Sequence, residues 1–336
     1  MFLPGHVPAA VSKLTPAGRL PATNVLSLAF GLPLRNAAAL NELLRQLYDP
    51  GSTNFHKFLT PAEFTMRFGP TEADYQAVIQ FAETNGLNIA GKHSNRMVLD
   101  VTGRVADVEQ AFQIKLQKYR HPTETRDFFA PDTEPSFSSG LPVLHVSGLD
   151  NFLLPRPNSK TQPFSQLTGA APQAGSGSGG TYLGGDFRAA YAPGVSLTGS
   201  GQSVALLQFD GYVSNDIAAY ISQASLTGYA ISLTNVPVNG GVSVPGAGDA
   251  EVSLDIEMVI AMAPGVSKII VYEAPNGSTA WSTILSRIAN DNLARQISCS
   301  WGGGSPDPTV NGIFQQMAAQ GQSFFCASGD YDAYTT

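Results

Sequence analysis

Apolar and polar positions in the first 150 residues predict a compact α+β unit. Residues 24–30 are apolar and strand-like, whereas residues 34–48 place four leucines on one helical face. Thr71, followed by acidic residues, is typical of a helix N-cap. Further predicted elements are a helix over 71–84, paired strands over 87–93 and 96–102, a helix over 105–114 and a strand over 116–120. The order β-α-α-β-β-α-β predicts a ferredoxin-like fold with one inserted helix, over residues 5–150.

The second half shows a different pattern, in which apolar strands alternate with helices of about ten residues or more. The predicted strands are 203–209, 268–272, 296–300 and 323–327, and the predicted helices are 214–223, 250–263, 281–290 and 310–319. This alternation predicts βαβ units and a parallel α/β sheet covered on both faces, over residues 181–336. Since an open sheet normally continues beyond such a strand, we expect the chain to be truncated at residue 336.

Residues 151–180 differ from both halves. Prolines at 155, 157, 163 and 172 precede the run Gly175-Ser-Gly-Ser-Gly-Gly180. This composition predicts an exposed linker, stiff at its start and flexible at its end, that a protease could cleave.

Charge and composition exclude several classes of function. Residues 1–180 carry 15 Lys/Arg and 14 Asp/Glu, whereas residues 181–336 carry 4 and 12. A half so poor in cations is an unlikely partner for nucleic acid, which needs clustered Lys/Arg. No apolar run approaches the length of a membrane span, and the opening residues show neither the basic nor the apolar region of a signal peptide.

The two cysteines, Cys299 and Cys326, are too few for a disulfide scaffold or a four-thiolate zinc site. Both lie on predicted interior strands, so we expect buried free thiols.

The five histidines all fall before residue 181. Asp210 ends a strand, as the aspartate of a Ser-His-Asp triad does, but the second half supplies no histidine partner. We therefore interpret Asp210 as a turn or cap residue.

Glu251 and Asp255 are four residues apart on the predicted helix over 250–263, so their carboxyl groups lie on one face. The helix is otherwise strongly apolar, which predicts partial burial of the pair. Two buried carboxyl groups share a proton, and such a pair can act as a general base at acid pH. The alternative is that Glu251 is a first-turn acid favoured by the helix dipole. Glu257 is expected to be solvated.

Two further features follow predicted strands. Asp330 comes after the strand over 323–327, where α/β sheets collect functional groups, although a turn aspartate is the alternative. Trp301, Gly302 and Gly303 follow the strand over 296–300. Their bare backbone would let a substrate chain approach and form main-chain hydrogen bonds, and Trp301 would form a pocket wall or part of the core.

Together these segments resemble the sedolisins, the serine-carboxyl peptidases of the kumamolisin group. Residues 47–64 and Arg67-Phe-Gly-Pro70 are similar to the activation prosegment of that family. Residues 182–191 and 248–257, Ser300-Trp-Gly302 and Ala327-Ser-Gly-Asp330 are similar to the start of its subtilisin-like catalytic domain.

The resemblance implies a role for each acid. Glu251 would be the general base that takes the serine proton, Asp255 would orient it and share a proton, and protonated Asp330 would donate a hydrogen bond to the oxyanion. The nucleophile of the family lies in a Gly-Thr-Ser segment, which this sequence lacks, and its calcium loop also lies farther along. The resemblance thus implies calcium outside this chain and none within it.

We therefore expect a secreted, acid-acting endopeptidase zymogen, in which the prosegment contacts the catalytic domain and the linker carries the maturation site. Its partners would be protein or peptide substrates, and the chain as written would be inactive. The main alternative is a pseudopeptidase whose prosegment acts as an inhibitor or chaperone. A third is an α/β ligand-binding protein with an appended domain.

Overall fold

A computed structural model describes residues 2–137, 140–157, 159 and 175–330. The α-helices are α1 (Ala37–Leu47), α2 (Pro61–Phe68), α3 (Glu72–Thr84), α4 (Val105–Phe112), α5 (Gly185–Tyr191), α6 (Ser214–Gln223), α7 (Asp249–Met262), α8 (Ala280–Asp291) and α9 (Pro308–Ala319). The strands are β1 (Gly18–Arg19), β2 (Val25–Gly31), β3 (Asn88–Lys92), β4 (Val98–Arg104), β5 (Leu116–Arg120), β6 (Asp127–Pro131), β7 (His145–Ser147), β8 (Arg156–Pro157), β9 (Ser203–Gln208), β10 (Leu233–Pro237), β11 (Lys268–Glu273), β12 (Gln296–Cys299), β13 (Trp301–Gly302) and β14 (Ser323–Cys326).

The described residues form two compact units that do not follow chain order. The first unit contains the residues before 156 together with 276–292 and 303–321. The second contains 156–275, 293–302 and the described residues after 321. Helices α8 and α9 therefore belong to the first unit, although they come from the second half of the sequence.

The first unit contains a four-stranded antiparallel sheet in the order β3-β4-β2-β7. Numbered along the chain, these strands have the order 2-3-1-4 of a ferredoxin-like sheet, as predicted. The identity of the fourth strand was predicted wrongly. Residues 116–120 form β5 in a separate sheet, β1-β5-β6, and the short β7 takes the fourth position.

Large apolar side chains fill the space between this sheet and the helices that cover it. Phe30 from β2, Tyr75 from α3 and Phe112 from α4 are almost completely buried in one cluster. The aromatic rings of Phe30 and Phe112 lie 5.7 Å apart, within the range of favourable ring contacts. Burial of this cluster supplies the main driving force for the unit's fold.

Close approach of backbone and side chain marks the contact between β2 and α9. A Cβ atom built on Gly31 would lie 1.8 Å from Thr309 Oγ1, so only glycine fits at this position of the strand. The Thr309 side chain is itself buried at the start of α9, where Asp307 caps the helix by accepting the Thr309 N–H.

The second unit contains a five-stranded parallel sheet in the order β10-β11-β9-β12-β14. This confirms the parallel α/β prediction, although β10 was not foreseen. Because all five strands run in the same direction, their carboxyl ends form one edge of the sheet. Gln208, Glu273 and Ser300 lie at or just beyond these ends.

A two-residue ladder adds to the second unit beyond the main sheet. Strand β13 pairs antiparallel with β8, which places Gly302 opposite Arg156 and Trp301 opposite Pro157. The backbone after β12 is thus already hydrogen-bonded to an extended segment of the same chain. Most of the predicted linker that follows β8, residues 158 and 160–174, lies outside the described residues. Within the described part of the chain, no helix combines the length and apolar character that a bilayer span requires.

Candidate active site

Helix α7 brings Glu251 and Asp255 together. Both side chains are buried, Glu251 at 6 % exposure and Asp255 at 8 %, on the face that also carries the fully buried Val252 and Ile256. The predicted burial of the pair is therefore confirmed. Their separation of one helical turn brings the two carboxyl groups close enough to interact electrostatically.

Asp210 organises the loop that leads into α7. Its carboxylate accepts three backbone N–H groups, those of Gly211, Gly246 and Gly248, each at 2.7 Å. A Cβ atom on Gly248 would lie 2.7 Å from the ring of Trp301, so the loop also needs glycine at this contact. Asp210 is thus a turn-forming residue, as interpreted from the sequence, and it fixes the start of the helix that carries the acid pair.

Two donors hold the Asp255 carboxyl group. Ser300 Oγ donates to Oδ1 at 2.6 Å, and Gln208 Nε2 donates to Oδ2 at 2.7 Å. Burial raises the pKa of Asp255, the two hydrogen bonds lower it, and the neighbouring Glu251 raises it further, with a net upward shift. The two hydrogen bonds therefore stabilise the charged form of Asp255, whereas burial and the charge of Glu251 destabilise it more strongly.

Glu251 is the less satisfied member of the pair. Its Oε2 atom is buried and has no hydrogen-bond partner among the described residues. Leaving a buried carboxyl oxygen unpaired costs free energy, so this atom is disposed to accept a hydrogen bond. The two carboxyl groups thus differ: Asp255 is anchored on both oxygens, whereas Glu251 keeps an oxygen available.

Gln208 extends the network in a way that the sequence did not reveal. Its amide accepts a hydrogen bond from Trp301 Nε1 at 2.7 Å while it donates to Asp255. Gln208 is completely buried at the end of β9. A glutamine at the end of an apolar strand gives little signal by itself, but a polar residue where a buried parallel strand ends was the available clue.

The predicted substrate-binding residues occupy different environments. The indole of Trp301 is 2 % exposed and packs edge-on against Phe209, with 5.6 Å between ring centroids, so the side chain lies in the core. Its backbone and that of Gly302 form β13. Gly303 belongs to the first unit, where its carbonyl accepts the Trp281 Nε1–H at 2.9 Å. A substrate role for the three residues stays a prediction.

Asp330 is exposed and lies four residues beyond the end of β14. Because β14 is parallel to β12, Asp330 leaves the sheet from the same edge at which Ser300 and Gln208 meet Asp255. Its role at the oxyanion stays a prediction.

Two expectations about side-chain environment are wrong. Glu257 was expected to be solvated, but it is half-buried, and burial together with nearby Asp216 raises its pKa to about 7. Cys326 was expected to be buried, but it is exposed on β14, the last strand of the sheet among the described residues; Cys299 is buried, and both thiols are free.

Among the residues that the structure describes, no three His, Cys, Asp or Glu side chains lie close enough to hold a metal ion.

Comparisons with known proteins show what this chain is similar to. Residues 12–152 match the family model described as the Pro-kumamolisin, activation domain. The chain is 28% identical over 349 aligned residues to xanthomonalisin from Xanthomonas sp. (strain T-22). That alignment covers 94% of this chain and 40% of xanthomonalisin. It is 27% identical to sedolisin from Pseudomonas sp. (strain 101), with 95% of this chain and 56% of the relative covered.

The chain thus carries a pro-kumamolisin activation domain and is homologous to the sedolisin family across most of its length. It spans about half the length of the curated relatives that it matches. Among solved structures, fervidolysin from Fervidobacterium pennivorans, a keratinolytic enzyme related to subtilisin, aligns with 95% of this chain and 41% of its own at 11% identity and a TM-score of 0.46.

Proposed function

We propose that this protein is the zymogen of a serine-type endopeptidase that works at acid pH through a Ser-Glu-Asp triad. The observation that carries the proposal is the asymmetry of the buried pair on α7. Glu251 keeps a buried oxygen unpaired among the described residues, whereas both oxygens of Asp255 accept hydrogen bonds. A general base needs a free acceptor, and its partner needs to be fixed.

In the proposed reaction, Glu251 removes the proton from a serine hydroxyl as the serine oxygen attacks the peptide carbonyl carbon. Asp255, one helical turn away, orients Glu251 electrostatically and shares the acid proton with it, so the pair replaces imidazole. Glu251 then returns the proton to the leaving amine. The nucleophilic serine would come from a Gly-Thr-Ser segment, a sequence that does not occur in these 336 residues.

Asp330 is proposed to donate a hydrogen bond to the oxyanion of the tetrahedral intermediate. Donors of this kind contribute about 3–4 kcal/mol to the stabilisation of the transition state. A carboxylic acid can donate only while it is protonated, which confines activity to acid pH. The exposed position of Asp330 just past a strand end leaves it accessible to a substrate.

We also propose that the linker over 151–180 carries the maturation site. Strand β8 pairs antiparallel with β13, so the carboxyl end of β8, Pro157, lies opposite Trp301. Trp301 directly follows Ser300, which is bound to Asp255. Pro157, the last residue of β8, is therefore paired with the residue next to the one that binds Asp255. On this basis, autoprocessing at low pH would cut within the linker and release a secreted peptidase.

The test is acid digestion of casein by the protein expressed from its complete reading frame. Glu251→Gln should lower kcat by about 10²–10⁴-fold, because it removes the general base. Glu257→Gln is the matched control, since it makes the same change on the same helix, and it should leave kcat within a few-fold of wild type. Equal activity of Glu251→Gln and wild type would refute the proposal.

Maturation has its own readout. Mass spectrometry after transfer from pH 7 to pH 4 should find a new amino terminus within residues 151–180 in the wild type and none in Glu251→Gln. An intact wild-type chain that inhibits another acid peptidase would instead identify a pseudopeptidase.

A further inference from the structure

The only two cysteines of the sequence lie side by side. Cys299 ends β12 and Cys326 ends β14, and the parallel register pairs the two residues directly. Laterally paired residues on adjacent strands are about 4.8 Å apart, within the 4.4–6.8 Å between Cα atoms that a disulfide needs. Nothing in the acid-pair chemistry uses either thiol.

Both sulfur atoms approach the same acceptor. The Cys299 thiol lies 3.6 Å from the carbonyl oxygen of Trp301, and the Cys326 thiol lies 3.7 Å from it. The Trp301 N–H in turn donates to Cys299 Sγ at 3.4 Å. A shared acceptor brings the two side chains to the same side of the sheet edge, which is the second condition for a bond between them.

The two thiols differ in access and in acidity. Cys299 is 1 % exposed, whereas Cys326 is exposed. Hydrogen bonding from Cys299 lowers the pKa of Cys326 to about 6, and the same contact together with burial raises the pKa of Cys299. The thiolate is the nucleophile in thiol–disulfide exchange, so Cys326 suits the attacking position and Cys299 the resolving position.

We propose that Cys299 and Cys326 form a redox-active dithiol that closes to an intramolecular disulfide on reaction with a small disulfide such as oxidised glutathione. The Cys326 thiolate attacks one sulfur of glutathione disulfide, which forms a mixed disulfide and releases one glutathione thiolate. Cys299 loses its proton and attacks the Cys326 sulfur of that mixed disulfide, which releases the second glutathione. The protein loses two electrons and two protons, and one glutathione disulfide becomes two thiols.

The closed bond would tie β14 to β12 at the edge of the sheet where Ser300 meets Asp255. Ala327 already donates its N–H to the Cys299 carbonyl at 3.0 Å, so the disulfide would reinforce an existing contact. Asp330 extends from the same strand end. The effect of the bond on catalysis rests on the proposed function, whereas formation of the bond does not.

The test uses the full 336-residue chain, reduced, freed of reductant and incubated with oxidised glutathione at neutral pH without denaturant. Thiol titration after denaturation should fall from two per chain to none, with the loss of two hydrogen atoms in intact mass. Because Asp307 lies between the cysteines, cleavage at aspartate should give two peptides joined until reduction. The oxidised chain should melt on the order of 5 °C higher.

Two single variants test whether Cys326 is the attacking thiol and Cys299 the resolving thiol. Cys299→Ser should stop at a mixed disulfide between Cys326 and glutathione, because it lacks the resolving thiol. Cys326→Ser should remain unmodified, because Cys299 is buried. Two free thiols in the oxidised wild type, a disulfide only between chains, or equal reactivity of the two variants would overturn the proposal. The wild-type thiol count decides the matter even where a variant does not fold, and also where the protein proves not to be a peptidase.

Discussion

The Ser300 hydroxyl and the Asp255 carboxyl group are joined by a hydrogen bond of 2.6 Å, which connects the end of β12 to the middle of α7. This bond lowers the pKa of Asp255 against the opposing effect of burial. Ser300→Ala should therefore raise the pKa of Asp255 further, because only Gln208 remains as a donor. Loss of a buried hydrogen bond to a charged group should also cost about 1.5–3 kcal/mol of stability.

Carbon-13 NMR of aspartate-labelled protein measures the Asp255 titration directly. Ser298→Ala, the same change two residues earlier in the strand, is the control and should leave that titration in place. An Asp255 titration that is identical in Ser300→Ala and wild type would contradict the assigned bond.

Glu257 should make the second unit less stable at neutral pH than in acid. Its pKa in the folded chain is raised to about 7 from the ordinary 4.5, mainly by burial and also by Asp216. Ionisation is thus disfavoured in the fold, and stability declines as the pH rises from about 4.5 through 7. Glu257→Gln should stabilise the chain at pH 8 by about 1–2 kcal/mol, after allowance for partial exposure, and should have little effect at pH 4.

Urea unfolding at both pH values tests this difference. Asp216→Asn should give part of the same gain by removing the like charge, whereas Glu83→Gln at an exposed site should give none. A gain from Glu257→Gln that is equal at pH 4 and pH 8 would show that charge is not its cause.

The buried His6 should give the fold the opposite dependence on pH, with stability lost in acid. Its Nε2 accepts the Val146 N–H at 3.1 Å, its Nδ1 lies 3.1 Å from the Leu3 carbonyl, and its ring stacks on His145 with centroids 4.3 Å apart. Protonated Nε2 could no longer accept from Val146. Burial and the neighbouring His145 lower the pKa of His6 to about 4, against smaller opposing effects of the Leu3 carbonyl and the carboxyl groups of Glu134 and Asp307.

Because the pKa of His6 is lower in the fold than the ordinary 6.5, this part of the first unit should lose stability as the pH falls from about 6.5 towards 4. We expect a loss of about 2–3 kcal/mol in protection from hydrogen exchange over β7. His6→Gln, which can accept the same N–H without titrating, should remove most of the pH dependence. His56→Gln, at an exposed histidine, should leave it unchanged, and a β7 protection that is flat with pH in the wild type would rule the effect out.

Gly31 is predicted to be irreplaceable for a steric reason. A methyl group on Gly31 would overlap Thr309 Oγ1, so Gly31→Ala should destabilise the first unit by about 2–4 kcal/mol. Thr309→Ala removes the overlapping atoms and should restore part of the loss in the double variant. Thermal unfolding of the four proteins measures the coupling, and a purely additive result would exclude the clash as the cause.

The elements that the sequence predicted best are those in which the periodic pattern is reinforced by local signals. Helix α3 begins where Thr71 and Asp74 form a reciprocal cap. The sequence of α7 is a run of mostly apolar residues with acidic residues between them. Helix α2 was missed although Thr60 and Glu63 form the same kind of cap, because its eight residues are too few for a clear period.

Tertiary context explains the other errors. Residues 116–120 have a strand pattern, but nothing in that pattern specifies which sheet they join; pairing with β6 decides it. At the site, the helical spacing of Glu251 and Asp255 was readable from the sequence, whereas Gln208 and Ser300 reach Asp255 only because β9 and β12 are neighbours in the sheet. Local pattern cannot supply such contacts between distant residues.

The pairing of β8 with β13 has a consequence for competition at this edge. A peptide that binds along Trp301 and Gly302 must first displace Arg156 and Pro157, which are tethered to the same molecule. A segment of the same molecule competes at an effective concentration that does not depend on the bulk concentration of the protein. Weak ligands therefore encounter an occupied strand, and a single cut in the tether would convert this permanent competitor into one that dilutes away.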